Sequence, residues 1–521
     1  MKRIFSVFAL ALVMGLGSSC EDAIDIVQDG ELNDEATFQS VEDMRQYLNG
    51  AVYSSLGGTN EIGFTSIFTD ETAIGVSSGG QDTELHRFVL NTTDAYTSAI
   101  WLQHYTTINR ANRLLRGAEM IVPDPDSDPD GTGFSDVDRY NNIIAQTRAI
   151  RAYAYLQLES YFSTDMSDDS ALGVMLIDRV PAIDEVLPRS TNAEVFALME
   201  SDLAFASANI GDPIDVFGPA WASIATAPYK YVSSNMINAM YARFYAYRKN
   251  YPLAQQYAQA VVDNANVVLS NSVNPTANLT AFYGLTPPAA QVYRRMWADL
   301  SQGEIIFSLA RPSTGAWGNI GETWYFNSTD ATGGAYHEVG RNLNAELMES
   351  PTDIRQYSFV QRPITQDING RDILPIDKYP GKASQPLRND IKIFRLSEMY
   401  FILAEAAVAQ GDLAGAAGYI KLIRDARDWA DAQPLPVYGS SSEAWGDIVD
   451  ERRKELCFEG FRYLDIKRLG VLAGRSIDRS VDDDVVPNVP LTIPNTDYRF
   501  TLPVPQDELG ANPTIQQNPG Y

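Results

Sequence analysis

Apolar residues recur every three to four positions through most of the chain beyond residue 36. This spacing places them on one face of an α-helix. Between residues 267 and 390 the periodicity gives way to Gly, Pro, Asn, Thr and aromatic residues, with short strand-like runs such as 304–309. The pattern predicts a mostly α-helical protein with one long irregular insertion. The predicted helices span residues 37–56, 98–121, 141–162, 191–210, 233–249, 253–266, 391–410, 413–428 and 442–459.

Two of the predicted helix pairs resemble each other. Residues 242–257 align with residues 404–419 at a constant offset. In each stretch a small residue allows close helix packing, and Asn250 or Asp412 is placed to cap the second helix, with alanine four residues further on. This is the pattern of a tetratricopeptide helix pair. Such units usually stack and present a surface to another protein.

The N-terminus has the features of an export signal. A basic pair precedes the apolar run 4–16, and small residues then lead to Cys20. We expect residues 1–19 to be a lipoprotein signal peptide, Cys20 to be acylated, and the polar stretch 20–35 to be a flexible tether. An ordinary secretory signal with an incidental cysteine is the alternative. The acidic pair after Cys20 resembles tags for the outer face of the outer membrane, so we expect a lipid-anchored protein facing the cell exterior.

The charge balance excludes some classes of partner. The chain has 67 acidic and 40 basic residues, for a formal net charge of −27. Such a surface repels phosphate backbones, so we expect no nucleic-acid partner. Three histidines and two cysteines leave little for a zinc site, a Ser-His pair or a disulfide framework.

Residues 451–468 crowd acidic, basic and aromatic side chains together. Glu455 and Glu459 lie one helical turn apart and could be a catalytic acid and base. The neighbouring cations, however, lower carboxyl pKa values, which is the wrong direction for a general acid. We instead predict a partly buried ion-pair network that fixes the helix against its neighbours. Its candidates are Glu455, Glu459, Arg462, Asp465 and Arg468.

Two further carboxylates lie on the strongly apolar segment 391–410. These are Glu398 and Glu405. We expect both to be helix-packing partners of Arg395 or Arg424 rather than catalytic groups.

Three blocks, in order along the chain, resemble the RagB/SusD family. They are 394–406, 451–468 and the C-terminal stretch 502–521, which includes Leu-Pro-Val-Pro-Gln-Asp-Glu-Leu and Asn-Pro-Gly-Tyr. The early segments 37–50 and 101–115 are also similar, so the resemblance covers nearly the whole chain. It implies a SusD-like body over residues 36–521. Within it, helical repeats would span about 36–266 and 391–469, and a ligand-facing insertion would span about 267–390.

The resemblance also implies a function. Members of this family sit on the cell surface as the partner, and the lid, of a SusC-type TonB-dependent transporter. They capture oligosaccharides, and less often peptides, for import without catalysis and without a required cofactor. Two alternatives stay open at this point: a peptide-binding or purely protein-interacting scaffold of the uptake complex, and a surface glycoside hydrolase.

A neutral sugar presents apolar C–H faces ringed by hydroxyls, so its site needs aromatic platforms beside hydrogen-bonding side chains. The richest stretch is 314–330, where glycines allow aromatic faces to turn outward. The alternative is that its aromatic residues anchor a long loop onto the helices. We expect Trp101, which begins a helix, to be buried. The predicted ligand-binding residues are Trp317, Trp324, Tyr325, Phe326, Asn319 and Asn327, with Tyr283, Phe64, Asp70 and Arg87 from other loops.

A metal site is a further possibility of the sequence. Asp126, Asp128 and Asp130 alternate before Gly131, as carboxylates do in a calcium-binding loop. Val137 occupies the twelfth position, where such a loop has an acidic residue, and prolines interrupt the run. A solvated acidic loop is the alternative to calcium binding.

Overall fold

The computed structural model describes residues 34–128, 131, 133–182, 184–211, 216, 227–312, 320–324, 335–362, 364–366, 370–382 and 385–521. Cys20 and the predicted signal peptide lie outside these residues. The described part is mostly helical, as the hydrophobic pattern predicts. In these ranges, no helix combines the length and the apolar character that crossing a membrane requires.

The longer helices follow one another along the chain, and neighbours in sequence commonly pack against each other. Short 3₁₀ turns, among them Pro228–Lys230 and Ile320–Thr323, lie between them. The helices are α1 Asp34–Thr37, α2 Val41–Tyr47, α3 Thr59–Phe68, α4 Thr83–His86, α5 Ala95–Ala118, α6 Asp136–Phe162, α7 Asn192–Asn209, α8 Ser234–Tyr247, α9 Tyr251–Asn264, α10 Leu279–Phe282, α11 Val292–Trp297, α12 Arg341–Leu347, α13 Arg355–Ser358, α14 Leu396–Ala409, α15 Leu413–Arg427, α16 Ser441–Leu456, α17 Arg462–Ala473 and α18 Gln506–Ala511.

Side-chain caps fix where several helices begin. Ser135 and Asp138 form a reciprocal capping box at the start of α6, and Thr191 and Glu194 do the same for α7. Each box satisfies backbone N–H groups that have no partner within the helix. The cap at Ser135 explains why α6 begins five residues before the predicted residue 141.

The two similar helix pairs are confirmed as α8–α9 and α14–α15. The side chain of Asn250 caps α9, and that of Asp412 caps α15. The residue before each cap is in the left-handed region, with φ of 58° at Lys249 and 82° at Gly411. In both pairs the alanine four residues beyond the cap is fully buried. Helices α9 and α14 also pack together, so the two pairs are neighbours in the fold.

Short antiparallel strands connect the predicted insertion to the helices. Strand β2 (Ile305–Leu309) pairs with strand β6 (Ile391–Arg395), so residues 391–395, predicted as the start of a helix, are instead a buried strand. The predicted helix 37–56 is also interrupted, because α2 passes into a π-helical turn at Leu48–Val52 and a 3₁₀ turn at Tyr53–Ser55. The strands are β1 Thr72–Ile74, β2 Ile305–Leu309, β3 His337–Val339, β4 Thr365–Gln366, β5 Asp372–Ile373 and β6 Ile391–Arg395, with β1 paired to β3 and β4 to β5.

Candidate ligand-binding face

The charged segment 451–468 forms α16, α17 and the turn between them. Glu455 Oε1 lies 2.9 Å from Nη1 of Arg395 and 2.9 Å from Nη2 of Arg427. Glu459 Oε1 accepts hydrogen bonds from Arg395 Nη2 at 2.7 Å and from Lys378 Nζ at 2.6 Å. All five side chains are buried. They hold α16 against the strand β6 and the helix α15.

The other three predicted members, Arg462, Asp465 and Arg468, are paired in the same way. Arg468 binds two carboxylates. Its Nη2 lies 2.9 Å from Asp465 Oδ1, and its Nη1 lies 2.5 Å from Glu405 Oε2. Arg462 donates to both carboxylate oxygens of Asp70 at 2.8 Å. The predicted ion-pair network is therefore confirmed, and its members are more fully buried than the sequence indicated.

The electrostatics of Glu455 argue against a role as a general acid. Burial acts to raise the pKa of its carboxyl group. The charges of Arg427 and Arg395 outweigh burial, however, and hold this pKa well below its usual value. A carboxyl group that stays ionised has no proton to donate at neutral pH.

Two carboxylates of α14 are buried, and their cationic partners differ from those expected. Glu398 binds the guanidinium of Arg243 with distances of 2.6 and 2.7 Å. Glu405 binds Arg468, as described above. The sequence correctly indicates that both serve helix packing. Its choice of cationic partners is wrong for both.

The structure corrects the expected exposure of Trp324. Its side chain is 1% exposed, so neither ring face is open to solvent. The indole lies nearly parallel to the ring of Tyr379 at 6.0 Å and edge-on to Phe458 at 5.7 Å. Trp324 therefore anchors its loop in the core. The other five predicted residues of this stretch lie outside the described residues: Trp317, Asn319, Tyr325, Phe326 and Asn327.

Phe64 and Asp70 are also buried rather than ligand-facing. Phe64 is fully buried and packs edge-on against Tyr463 at 5.1 Å. Asp70 is 1% exposed, and its carboxylate is the counter-ion of Arg462. Burial acts to raise the pKa of Asp70, but Arg453 and Arg462 together hold it well below its usual value. For both residues the predicted exposure is wrong, because Phe64 packs in the core and the Asp70 carboxylate is buried in an ion pair.

Tyr283 and Arg87 are partly exposed, and their polar groups have internal partners. The Tyr283 hydroxyl donates to the carbonyl of Val360 at 3.2 Å and accepts from the N–H of Arg362 at 3.0 Å. Arg87 binds both oxygens of the Asp484 carboxylate, at 2.7 and 2.8 Å. Their ligand-binding role stays a prediction. Trp101, which the sequence predicts to be buried, is 4% exposed, and this prediction is confirmed.

Described residues in and just before the aromatic-rich stretch lie against α3 and the turn ahead of it. A Cβ atom at Gly63 of α3 would lie 2.7 Å from the ring of Tyr96 and 3.2 Å from the Thr323 methyl group. The missing side chain at Gly63 thus lets Tyr96 of α5 and Thr323 approach α3. Before the stretch, Arg311 Nη2 donates to the carbonyl of Leu56, just ahead of α3, at 2.9 Å.

The surface beside these contacts carries neutral hydrogen-bonding groups and a partly exposed ring. Asn60 Nδ2 donates to Gln103 Oε1 at 2.9 Å, and both residues are half-buried. Gln103 lies two turns along α5 from Tyr96, on the same side of the helix. Beyond the stretch, Tyr336 N–H donates to the carbonyl of Trp324, the neighbour of Thr323, at 2.8 Å. We call this surface the loop face and define it by Asn60, Tyr96, Gln103 and Tyr336.

The sequence reasoning missed Tyr96, Asn60 and Gln103. A signal for Tyr96 and Gln103 was available, because they are seven residues apart and share one face of a helix. The predicted helix began at residue 98, whereas α5 begins at Ala95 behind the N-cap Asp94. Tyr96 was therefore placed ahead of the helix.

The predicted calcium site is only partly described. The Asp126 side chain is exposed, and Asp128 Oδ2 accepts from the N–H of Gly133 at 2.8 Å. Asp130 lies outside the described residues. In the part of the chain that the structure describes, no group of three or more His, Cys, Asp or Glu side chains is arranged to hold a metal ion. Calcium binding stays a prediction.

Comparisons with known proteins place the fold. Residues 374–521 match the family model described as the SusD family. A protein named SusD-like protein P2, from Formosa agariphila, is 25% identical over 100% of both chains. A solved SusD superfamily protein from Bacteroides thetaiotaomicron is 22% identical with a TM-score of 0.72, over 92% of this chain and 100% of that one. A SusD-like carbohydrate binding protein from Bacteroides vulgatus is 17% identical with a TM-score of 0.67, over 92% and 98%. The C-terminal family match and the end-to-end similarity to a SusD-like relative show that this chain is similar to SusD-family proteins, and the solved structures show that it has their fold.

Proposed function

We propose that this protein is a cell-surface glycan-binding lipoprotein that delivers oligosaccharide to a SusC-type TonB-dependent transporter. The loop face carries the proposal. There the half-buried ring of Tyr96 and Thr323 of the aromatic-rich stretch meet at Gly63 of α3, one turn from Asn60, which pairs with Gln103. A ring that packs on C–H faces beside amides that bind hydroxyl groups is the chemistry that a neutral sugar requires.

Two further observations support a neutral glycan as the ligand. The fold is shared with a solved protein described as carbohydrate binding. The formal net charge of −27 disfavours anionic ligands over the surface as a whole. Trp317, Tyr325, Phe326, Asn319 and Asn327 remain our proposed additional contacts, because Thr323 of the same stretch adjoins the loop face.

Native gel electrophoresis through polysaccharides tests the binding function. The wild-type protein should be retarded by at least one neutral polysaccharide of a panel. Trp317→Ala and Tyr96→Leu should migrate normally in that gel. Tyr498→Leu, which changes a tyrosine that is 44% exposed outside the loop face, is the matched control and should be retarded like the wild type. Unretarded wild-type protein across the panel would contradict the proposal.

Anchoring and delivery have their own tests. Cys20→Ser should move the protein from the membrane fraction to the soluble fraction, because an unacylated chain has no lipid to hold it. Affinity purification of the tagged wild-type protein should recover a TonB-dependent transporter. Retention of the Cys20→Ser variant in membranes would contradict the lipid anchor, and purification without a transporter would contradict the delivery function.

A peptide-binding or purely protein-interacting scaffold is the second candidate. The helix pairs α8–α9 and α14–α15 favour it, since stacked pairs of this kind usually present a surface to another protein. Transporter recovery without a glycan response across the panel would favour this scaffold. We expect no reducing sugar to form when the pure protein is incubated with polysaccharide, and its release would indicate a hydrolase instead.

A further inference from the structure

A second cleft lies among elements that the loop face does not include. Its volume is about 370 Å³, which falls in the lower part of the range for small-molecule sites. It lies between the 3₁₀ turn Pro228–Lys230, the start of α8, the end of α9 and the strand β2. Its lining includes Tyr229, Ser234, Asn235, Asn266, Gln302 and Ile306.

The described side chains that line this cleft are uncharged. Tyr229 supplies a half-buried ring, and Ile306 of β2 supplies a buried apolar surface. The nearest cation in sequence, Lys230, is paired with Asp390, whose Oδ2 lies 2.8 Å from its Nζ, and this Nζ lies 6.0 Å from the centre of the Tyr229 ring. A phosphate or carboxylate ligand would find no cationic partner among the described lining residues, and a free cation would find no carboxylate.

Three amide side chains converge on the cleft. Asn235 Nδ2 donates to the carbonyl of Asn264 at 3.3 Å, and Gln302 Nε2 donates to that of Ile305 at 3.0 Å. Among the described residues, the oxygens of these two amides have no hydrogen-bond donor, so they can accept from a ligand. Asn266 is exposed and held in the left-handed region with φ of 52°. Asparagine tolerates this conformation better than most residues with a side chain.

We propose that this cleft is a second binding site, for a single neutral sugar ring. Tyr229 would pack against the C–H face of the ring, while the amides of Asn235, Asn266 and Gln302 and the hydroxyl of Ser234 would bind its hydroxyl groups. The volume accommodates a small neutral polyol, and the lining offers both apolar and hydrogen-bonding contacts. The inference rests on the proposed function only in the class of ligand, since none of the loop-face residues lines this cleft.

Saturation-transfer NMR on the purified full chain tests the site, with D-glucose, D-galactose, D-mannose and N-acetyl-D-glucosamine as separate probes. At least one sugar should give a signal with the wild type. Tyr229→Leu removes the ring. Asn266→Gly removes an amide without strain, because glycine adopts positive φ freely. Each variant should weaken binding about tenfold, which corresponds to the loss of one good contact.

The matched control is Asn488→Gly, at an exposed asparagine with φ of 63° outside the cleft. It should bind the sugar like the wild type. No signal from any of the four sugars with the wild type would overturn the proposal. Unchanged binding by both Tyr229→Leu and Asn266→Gly would overturn it as well.

The loop-face variant Tyr96→Leu separates this inference from the proposed function. It should lose retardation in polysaccharide gels while keeping the single-sugar NMR signal. Loss of that signal in Tyr96→Leu would place the sugar at the loop face and overturn the second site. Conversely, wild-type protein that ignores every polysaccharide but binds the single sugar through Tyr229 would reject the proposed function and leave the cleft supported.

Discussion

The ionic segment 451–468 and the loop face show how similar side chains acquire opposite roles. Both regions combine aromatic and polar residues, and either could be taken for a functional site from composition. In the first, the five predicted members of the network each meet an opposite charge in the interior, as Glu455 does with Arg395 and Arg427. In the second, Tyr96 and Gln103 are half-buried and keep contact with solvent. The two regions differ in whether contacts inside the protein leave part of each side chain accessible to a ligand.

The largest predicted effect follows from breaking the buried network. Glu455→Gln would remove the buried carboxylate charge that neutralises the guanidinium groups of Arg395 and Arg427. We expect the free energy of unfolding to fall by about 3–5 kcal/mol, as is typical when one partner of a buried ion pair is removed. Urea denaturation followed by circular dichroism measures it.

An exposed ion pair supplies the control for this experiment. Arg475 and Asp450 are 44% and 41% exposed and lie 2.6 Å apart. Asp450→Asn should cost only about 0–1 kcal/mol, because water screens such pairs. Equal losses from Glu455→Gln and Asp450→Asn would mean that the buried network is not architectural.

Trp324→Ala tests whether burial decides the role of an aromatic residue, because Trp324 belongs to the aromatic-rich stretch but lies in the core. We expect a stability loss of about 3–5 kcal/mol, as for other large-to-small core substitutions. Thermal and urea denaturation would measure it, with Tyr498→Ala as the exposed aromatic control. A variant as stable as the wild type, with reduced glycan affinity, would restore Trp324 as a binding platform.

Stability should also depend on pH through the buried carboxyl group of Glu159. Burial raises its pKa from 4.5 to about 7. Between these values the folded state binds more protons than the unfolded state, so the free energy of unfolding falls as pH rises from 4.5 to about 7. The side chain of Glu159→Gln cannot titrate. Over this pH range the free energy of unfolding of the variant should therefore fall by about 2–3 kcal/mol less than that of the wild type. Urea denaturation across this pH range tests it, and parallel curves for the variant and the wild type would contradict the prediction.

The smallest effect belongs to the loop face. Tyr96→Leu should weaken polysaccharide binding about tenfold, or about 1.4 kcal/mol, since one ring contact is lost. The melting temperature should change little because Tyr96 is only half-buried. Isothermal titration with a polysaccharide that retards the wild type measures the affinity. An unchanged affinity would remove Tyr96 from the proposed site.

Hydrophobic periodicity predicted most long helices, and several of them, such as α5, α9 and α15, are amphipathic. It missed α3, in which every residue from Glu61 to Phe68 is buried. A helix that is buried on all sides has no solvent-exposed polar face, so its sequence does not show apolar residues recurring at helical spacing. The strand β6 was read as helix for a related reason, since a short apolar run fits either structure until its pairing with β2 is known.

The candidate site was less predictable because distant contacts decide exposure. The sequence indicates that buried Glu398 needs a cation, but its partner, Arg243, is 155 residues away. Likewise, Trp324 stands in a glycine-rich stretch, and its burial depends on Tyr379 and Phe458. Such pairings follow from the assembled fold and have no local pattern.

Hydroxyl-radical footprinting of the full chain, with and without a retarding polysaccharide, tests the central claim most directly. The glycan should reduce oxidation of Tyr96 and Tyr336 on the loop face. It should leave Tyr498 unchanged, and Tyr463 in the ionic segment should stay unoxidised in both states because it is fully buried. Unchanged oxidation of Tyr96 and Tyr336 under saturating polysaccharide would contradict the account.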